Sequence, residues 1–190
     1  MDRTLRDKVT LVTGCGPGIG RATATAFARD GADVVIAARR REPLEEMAEA
    51  LTAETGRRVL AMPCDISDPK AIERLVAGTV AELGRLDVVV NVATAGFERL
   101  RIVDMDFSGY ARSVQLNVIG TMKVCAEAAK QMAGQGGGSI INIGSLAPTA
   151  LSPKNGEYAS TKLAMVGLSK TLAREMGRDG VRVNVVTPGF

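Results

Sequence analysis

The sequence predicts an α/β fold, a parallel and doubly wound sheet with helices on both faces. Three observations carry this. Three strand–helix units and a fourth strand succeed one another with short connections. The first unit breaks at a glycine-rich turn. The fourth strand is nearly continuous in valine, as a strand buried on both faces must be.

The first strand is Val9 to Thr13. It ends at Gly14-Cys15-Gly16-Pro17-Gly18-Ile19-Gly20, and the Ala-rich run Arg21 to Arg29 follows as helix. Strand, glycine turn and helix in that order put free N–H groups and a positive dipole end in front of an anion. In a dinucleotide site Gly14 allows the tight turn, Gly18 lets a diphosphate approach, and Gly20 lets helix and strand pack closely. An ordinary glycine loop is the alternative. The second strand is Asp33 to Ala38. Dinucleotide folds place an acid at its end to receive the adenosine ribose. Here Ala38 is followed by Arg39 and Arg40. A guanidinium pairs with the 2′-phosphate that a carboxylate would repel, so the run favours NADP(H) over NAD(H). The alternative is a charged surface loop, with NAD(H) as the cofactor.

Glu42 to Thr55 is an amphipathic helix through Leu44, Met47, Ala48 and Leu51. The third strand is Arg58 to Cys64. Asp68 and Pro69 then cap a helix over Ala71 to Leu83. Asp65 either accepts from an adenine amino group or shapes the turn. The fourth strand, Leu86 to Asn91, leads into the loop Val92 to Asp106, beyond the carboxyl ends of the strands where such sheets bind ligands. Phe97, Leu100, Ile102, Val103, Met105 and Phe107 either line an apolar substrate pocket or cover the sheet.

Gly109 to Met132 is predicted as one long helix, interrupted by Asn117 and apolar on more than one stripe. A second subunit is the expected cover for the excess. The fifth strand is Ser139 to Ile143, ending in Gly144-Ser145. A loop leads to a helix from Tyr158 to about Met176, again widely apolar, and the sixth strand is Val181 to Val186. Residues 1–190 are read as a single domain.

Composition removes several function classes. The net charge is +3, with no basic stripe interleaved with aromatics, which argues against nucleic acid. Cys15, Cys64 and Cys125 lack metal-ligand or disulfide-framework spacing. The polar start MDRTLRDK predicts no signal peptide, and no apolar run reaches membrane-spanning length. Cytoplasm is the expected location.

There is no histidine, so acid/base chemistry must come from elsewhere. Tyr158 and Lys162 are four apart and share a helix face. A nearby ammonium favours the phenolate and makes a phenol usable in proton transfer. Taken alone, the pair also reads as a solvated helix face. Ser145 has neither a nucleophile elbow nor a triad partner. It therefore suits hydrogen bonding to a substrate oxygen rather than attack.

Together these residues resemble the short-chain dehydrogenase/reductase family. The matching segments are TGCGPGIG at Thr13 to Gly20, CDISD at Cys64 to Asp68, VVVNVA at Val88 to Ala93, LNV around Asn117, IGS at Ile143 to Ser145, YASTK at Tyr158 to Lys162, and the final PG. The resemblance implies a Rossmann-type sheet of order 3-2-1-4-5-6. It implies an NAD(P)-dependent oxidoreductase that interconverts a small carbonyl and a secondary alcohol. Tyr158 would be the general acid/base, Lys162 its activator and ribose ligand, Ser145 the polarising hydroxyl, and Asn117 the holder of a relay water. Gly14, Gly18, Ile19, Gly20, Asp65, Ile66, Asn91, Ala93, Pro188 and Gly189 would line the cofactor with Arg39 and Arg40. A homodimer or homotetramer through the two long helices is expected. The rival expectation is an NADP(H)-binding sensor or assembly subunit without turnover.

Three departures stand out. The fourth strand continues as Asn91-Val92-Ala93-Thr94 where the family has Asn-Asn-Ala-Gly. Pro17 stands where many NADP(H)-preferring members carry a basic residue. Family members also run on beyond Phe190 into a substrate-covering segment, another helix and a seventh strand, so the expectation is either a C-terminally shortened form with an open pocket or a sequence that stops short of the whole protein.

Overall fold

A computed structural model describes residues 4–150 and 152–189. The polar stretch read for a leader is therefore described only from Thr4, and Leu151 and Phe190 also lie outside the described residues. The elements alternate as expected. They are β1 (Val9–Thr13), α1 (Ile19–Arg29), β2 (Asp33–Ala37), α2 (Arg41–Thr55), β3 (Val59–Ala61), α3 (Pro69–Leu83) and β4 (Val88–Asn91). Then come α4 (Phe107–Val114), α5 (Thr121–Gly134), β5 (Gly138–Ile143), the short α6 (Ala147–Ala150), α7 (Gly156–Met176) and β6 (Val181–Val186). The sheet is parallel throughout, in the order β3-β2-β1-β4-β5-β6. That is the order the family resemblance implied.

The period-2 alternation of the strands divides the core in two. Leu11, Val35, Val89 and Ile140 face α3, α5 and the end of α7. Val12, Val34, Ile36 and Val90 face the other way, onto Ala24 and Ala28 of α1 and Leu44, Met47 and Leu51 of α2. On this second face Ile141 and Ile143 remain half-buried.

Two boundaries differ from the sequence reading. β3 is a short edge strand, although the Met62 and Cys64 N–H groups beyond it still donate to the Ile36 and Ala38 carbonyls at 2.9 Å, with Pro63 between them at the position that turns away from β2. The long helix between β4 and β5 contains a π-helical turn, Gln115–Gly120, between α4 and α5. A Cβ on Gly120 would lie 2.1 Å from the Ile66 carbonyl oxygen, so the helix presses directly on the loop after β3 at this point. The breadth of its apolar surface also has a cause inside the chain. Val124, Ala128 and Met132 are fully buried against the sheet, between α3 and α7. Exposed apolar side chains on α7 are Leu163 and Leu168.

Register aligns the strand ends. Thr13 pairs with Ala37 and Asn91, and Asn91 pairs with Asn142, so the central carboxyl ends form one level row. The opposite edge is locked by Asp87. Its buried carboxylate accepts from the Val9 N–H at 2.9 Å and from Arg85 at 2.6 and 2.8 Å, with the Lys8 ammonium 3.6 Å away. Burial pushes its pKa up, but the Arg85 hydrogen bonds, the Val9 N–H and the two cationic charges outweigh this and hold it below the usual carboxylate value. A depressed carboxyl stabilises above its unfolded pKa of about 3.9 and loses that contribution as pH falls through the folded value. Asp87→Asn is therefore expected to cost roughly 1.5–3 kcal/mol at pH 7. The gap to the parent should close at acid pH, which denaturant unfolding at pH 7, 5 and 3 will measure.

Candidate active site

A cleft of about 1710 Å³ opens along the row of carboxyl ends. Its floor at one end is the turn between β1 and α1. Gly14 has φ +73°, and a Cβ there would lie 2.3 Å from the Ala93 nitrogen. A side chain at this position would drive the turn off the loop after β4. Gly18 has φ +104° and faces open space, but it lies outside the cleft lining, beside Arg21 and Ala22 of α1. Among the described residues no side chain caps α1; the Arg21 and Ala22 N–H groups donate to the Gly16 and Gly18 carbonyls, and those of Ile19 and Gly20 before them are left for a ligand. Ile19 and Gly20 both line the cleft. Cys15, within the turn, is buried, and burial pushes its thiol up to about 12. It behaves as a small spacer rather than a reactive thiol.

Arg39 and Arg40 also line the cleft. Both are exposed, and among the described residues neither forms an ion pair, unlike Arg41 with Glu45. Asp65 and Ile66 stand across from them. Asp65 Oδ1 accepts from the Ser67 N–H at 2.9 Å and from the Ser67 hydroxyl at 2.7 Å. Those bonds, helped by the Arg39 charge and opposed by burial, hold its carboxyl below the usual range. The turn role is thus occupied, and the second carboxylate oxygen is left for a ligand. Ser67, which no sequence pattern singled out, orients it. Asn91 departs from expectation. Its side chain turns beneath the cleft and bonds Thr13 and Asn142 rather than lining the cofactor side.

At the other end Ser145, Tyr158 and Lys162 meet, with Ala93, Pro188 and Gly189 at the border. The Ser145 oxygen accepts from the Ala147 N–H at 3.0 Å, which leaves its own O–H proton free to donate. Lys162 is 7% exposed, and its Nζ donates to the Ile143 carbonyl at 2.8 Å. That nitrogen lies 5.6 Å from the centre of the Tyr158 ring. Burial lowers the Lys162 pKa from 10.5 to about 8.

Asn117 sits in the π-helical turn and acts as a clamp. Its Oδ1 accepts from the Ala95 N–H at 2.7 Å and from the Thr94 hydroxyl at 3.2 Å, and its Nδ2 donates to Thr161 at 3.3 Å. The loop after β4 is thereby tied to α7. Ser113 of α4 adds a second tie by donating to the buried Glu157, the residue before Tyr158. Phe97 stacks on Tyr158, ring centres 4.7 Å apart and planes 14° from parallel. The sequence placed Phe97 in an apolar loop with nothing to distinguish it from its neighbours. Those neighbours behave differently: Ile102, Val103 and Phe107 are exposed and do not line the cleft. The loop doubles back on Asn117, and this turns them outward.

A glycine-turned anion site at a switch in strand order, facing a Ser–Tyr–Lys group, defines the class as a dinucleotide-binding oxidoreductase. The family model described as short chain dehydrogenase matches residues 8–190. The chain belongs to the short-chain dehydrogenase/reductase family. Among its relatives is a short chain dehydrogenase/reductase of Aspergillus oryzae, 36% identical over 98% of this chain and 72% of the relative. D-threitol dehydrogenase of Mycolicibacterium smegmatis is 35% identical over 98% of this chain and 71% of its own length. NAD⁺-bound xylitol dehydrogenase superposes with a TM-score of 0.94 at 30% identity, covering 98% of this chain and 72% of that one. L-sorbose reductase of Gluconobacter frateurii, with NADPH and L-sorbose, gives a TM-score of 0.94 at 32% identity, covering 100% and 72%. The protein is an NAD(P)-dependent dehydrogenase/reductase that acts on small molecules. Among the described residues no helix is long and apolar enough to cross a membrane.

The Lys162 shift has a measurable sign. A lysine whose folded pKa is lowered destabilises the fold while charged, and the penalty fades as pH rises from the folded value near 8 to the unfolded value near 10.5. Without cofactor, the stability of the parent relative to Lys162→Met is expected to rise across that window and to stay flat between pH 6 and 7.5. Thermal unfolding of the two proteins at each pH checks this.

Proposed function

We propose that this chain is an NADP(H)-preferring oxidoreductase that interconverts a ketone and a secondary alcohol, with Tyr158 as general acid and base. The observation that carries this is the pairing of an unspent Ser145 O–H with a buried Lys162 beneath the Tyr158 ring. A bound nicotinamide supplies or accepts the hydride at its C4. Ser145 donates to the substrate oxygen and orients it. Tyr158 delivers its O–H proton to that oxygen in reduction and removes it in oxidation. The Lys162 charge, held in a desolvated pocket, favours the phenolate left behind and reaches the ribose hydroxyls. The Asn117 side chain is already committed to the loop and α7, so a relay water there falls to its main-chain carbonyl, in a turn where π-helical geometry loosens the ladder.

Gly14, Ile19, Gly20, Asp65, Ile66, Ala93, Pro188 and Gly189 would hold the dinucleotide. Arg39 and Arg40, without carboxylate partners, suit the 2′-phosphate. Ile102, Val103 and Phe107 turn outward and take no part in the cleft. The substrate end presents Ser145, Ser152 and Asn155 beside Phe97, Leu146, Ala150 and Pro153, and among the described residues the Asn155 side-chain oxygen is buried without a hydrogen bond. A small hydroxylated ketone or polyol fits this lining, and relatives named for D-threitol and xylitol support starting there. We read residues 1–190 as one domain of a cytoplasmic homo-oligomer, with Leu163 and Leu168 of α7 as the contact surface. The comparisons lend no support to a cofactor-binding sensor without turnover.

The test is NADPH oxidation at 340 nm against ketoses, hydroxyketones and simple ketones, with NADP⁺ reduction by polyols as the reverse assay. Tyr158→Phe should lower kcat by about 10²–10⁴-fold with cofactor affinity retained. Full activity in that variant would remove Tyr158 from the chemistry. Arg39→Asp should shift the NADPH-to-NADH affinity ratio by roughly ten- to a hundredfold towards NADH, the loss of one charge-assisted contact. An unchanged ratio would count against the arginine reading.

A further inference from the structure

The row that ends the central strands is polar, although it is buried. Thr13 of β1, Asn91 of β4 and Asn142 of β5 stand side by side in register, at 0%, 4% and 0% exposure. Buried polar groups need partners, and these find one another. Thr13 Oγ1 donates to Asn91 Oδ1 at 3.1 Å. Asn91 Nδ2 donates to Asn142 Oδ1 at 2.8 Å. Asn142 Nδ2 donates to Ser169 Oγ at 2.8 Å, and Ser169 Oγ donates to the Met165 carbonyl at 2.7 Å. Cys125 Sγ closes the side of the chain, accepting from Asn91 at 3.3 Å and donating to Asn142 at 3.4 Å.

The polarity of this relay has a single solution. The Met165 carbonyl can only accept, so Ser169 must donate to it and can then only accept from Asn142. Asn142 must therefore turn its oxygen to Asn91, and Asn91 its oxygen to Thr13. Every side chain from β1 to α7 is oriented by one backbone carbonyl on α7.

That carbonyl sits three residues past Lys162, and Ser169 lies seven residues past it, two turns along the same face. Lys162 is itself held by the carbonyl of Ile143, the residue after Asn142. Helix α7 is thus fastened to β5 at two consecutive residues. The other end of the relay is Thr13, immediately before the glycine turn. Hydrophobic burial alone does not choose the rotation of α7. Its apolar residues point several ways, with Met165 buried and Leu163 and Leu168 exposed. Directional bonds can choose what apolar contact leaves open.

We propose that the Thr13–Asn91–Asn142–Ser169 relay is a positioning device that sets the rotation of α7, and hence the aim of Tyr158 and Lys162, against the glycine turn. Asn142 and Ser169 are its positioning residues. Neither lines the cleft, and both act through α7. The proposal rests on the oxidoreductase chemistry set out above, and its test separates the two.

Ser169→Ala removes the hydroxyl and leaves Asn142 Nδ2 unsatisfied. Thr79→Ala is the matched control. Thr79 is fully buried on α3, and its hydroxyl makes the same kind of bond, to the Leu75 carbonyl at 2.8 Å, far from the cleft. Both variants should lower the thermal midpoint. Only Ser169→Ala should lower kcat, by about tenfold or more, as for a catalytic group displaced by a fraction of an ångström. NADPH affinity should change by less than about threefold, because most of its contacts lie elsewhere. Ser169→Thr should restore kcat. If Ser169→Ala does not fold, Ser169→Cys, similar in size and a weaker partner, replaces it.

A second arm needs no substrate. The chain has two tyrosines, so Tyr110→Phe leaves Tyr158 as the sole phenol. Its phenolate absorbance at 295 nm, titrated without cofactor, should be displaced in Ser169→Ala and should superpose on the parent in Thr79→Ala. A substrate panel with no turnover counts against the function proposed above, and this titration still decides the relay. A Ser169→Ala curve and kcat matching the parent, with only stability lost, would overturn the proposal.

Discussion

Parallel pairing with the three central strands level puts the carboxyl ends of β1, β4 and β5 in one row, and the candidate site depends on that row. A slip of one residue in β4 would carry Asn91 to the opposite face and leave Thr13 and Asn142 unpaired in the core. It would also withdraw the Ala93 backbone against which Gly14 turns. Strand register, the glycine turn and the placement of α7 therefore belong to one constraint.

The two edges of the sheet solve different problems. At the amino-terminal edge, Asp87 gathers a strand N–H, an arginine and a lysine, so its charge is compensated locally and serves stability. At the carboxyl edge, Lys162 is taken out of water with, among the described residues, a single carbonyl partner and no carboxylate. That charge is left under-compensated beside a phenol. The fold bears an electrostatic cost where a reaction could use the field, and cancels charge where it could not.

Loop and helix positions follow from small, specific contacts. Gly120 lets the helix rest on the Ile66 carbonyl, and the π-helical turn beside it brings Asn117 within reach of Ala95 and Thr161. Through that one amide the loop after β4 is folded back, with Phe97 stacked on Tyr158 and Ile102, Val103 and Phe107 turned to solvent. The departure from the family pattern at Val92 and Thr94 falls within this clamp: the Thr94 hydroxyl bonds Asn117 where the family's glycine has no side chain to offer.

Much of this was legible in the amino-acid sequence, because it depends on neighbours along the chain. Strand, glycine turn and helix were readable at Val9–Arg29, as were the cap at Asp68 and the shared face of Tyr158 and Lys162, since each rests on local geometry and period. The strand order came from the resemblance, because order in a sheet is not a local property. Other features rest on residues far apart in sequence, and only the tertiary structure decided them. The Asn91 side chain turns into the sheet because Thr13 and Asn142 stand beside it in register. The long helix carries a π-helical turn at the point where Gly120 packs on the loop after β3. The broad apolar face of α5 is consumed by α3 and α7. The pKa of Lys162 falls because other segments bury it, and burial is a sum over the whole fold that no stretch of sequence contains.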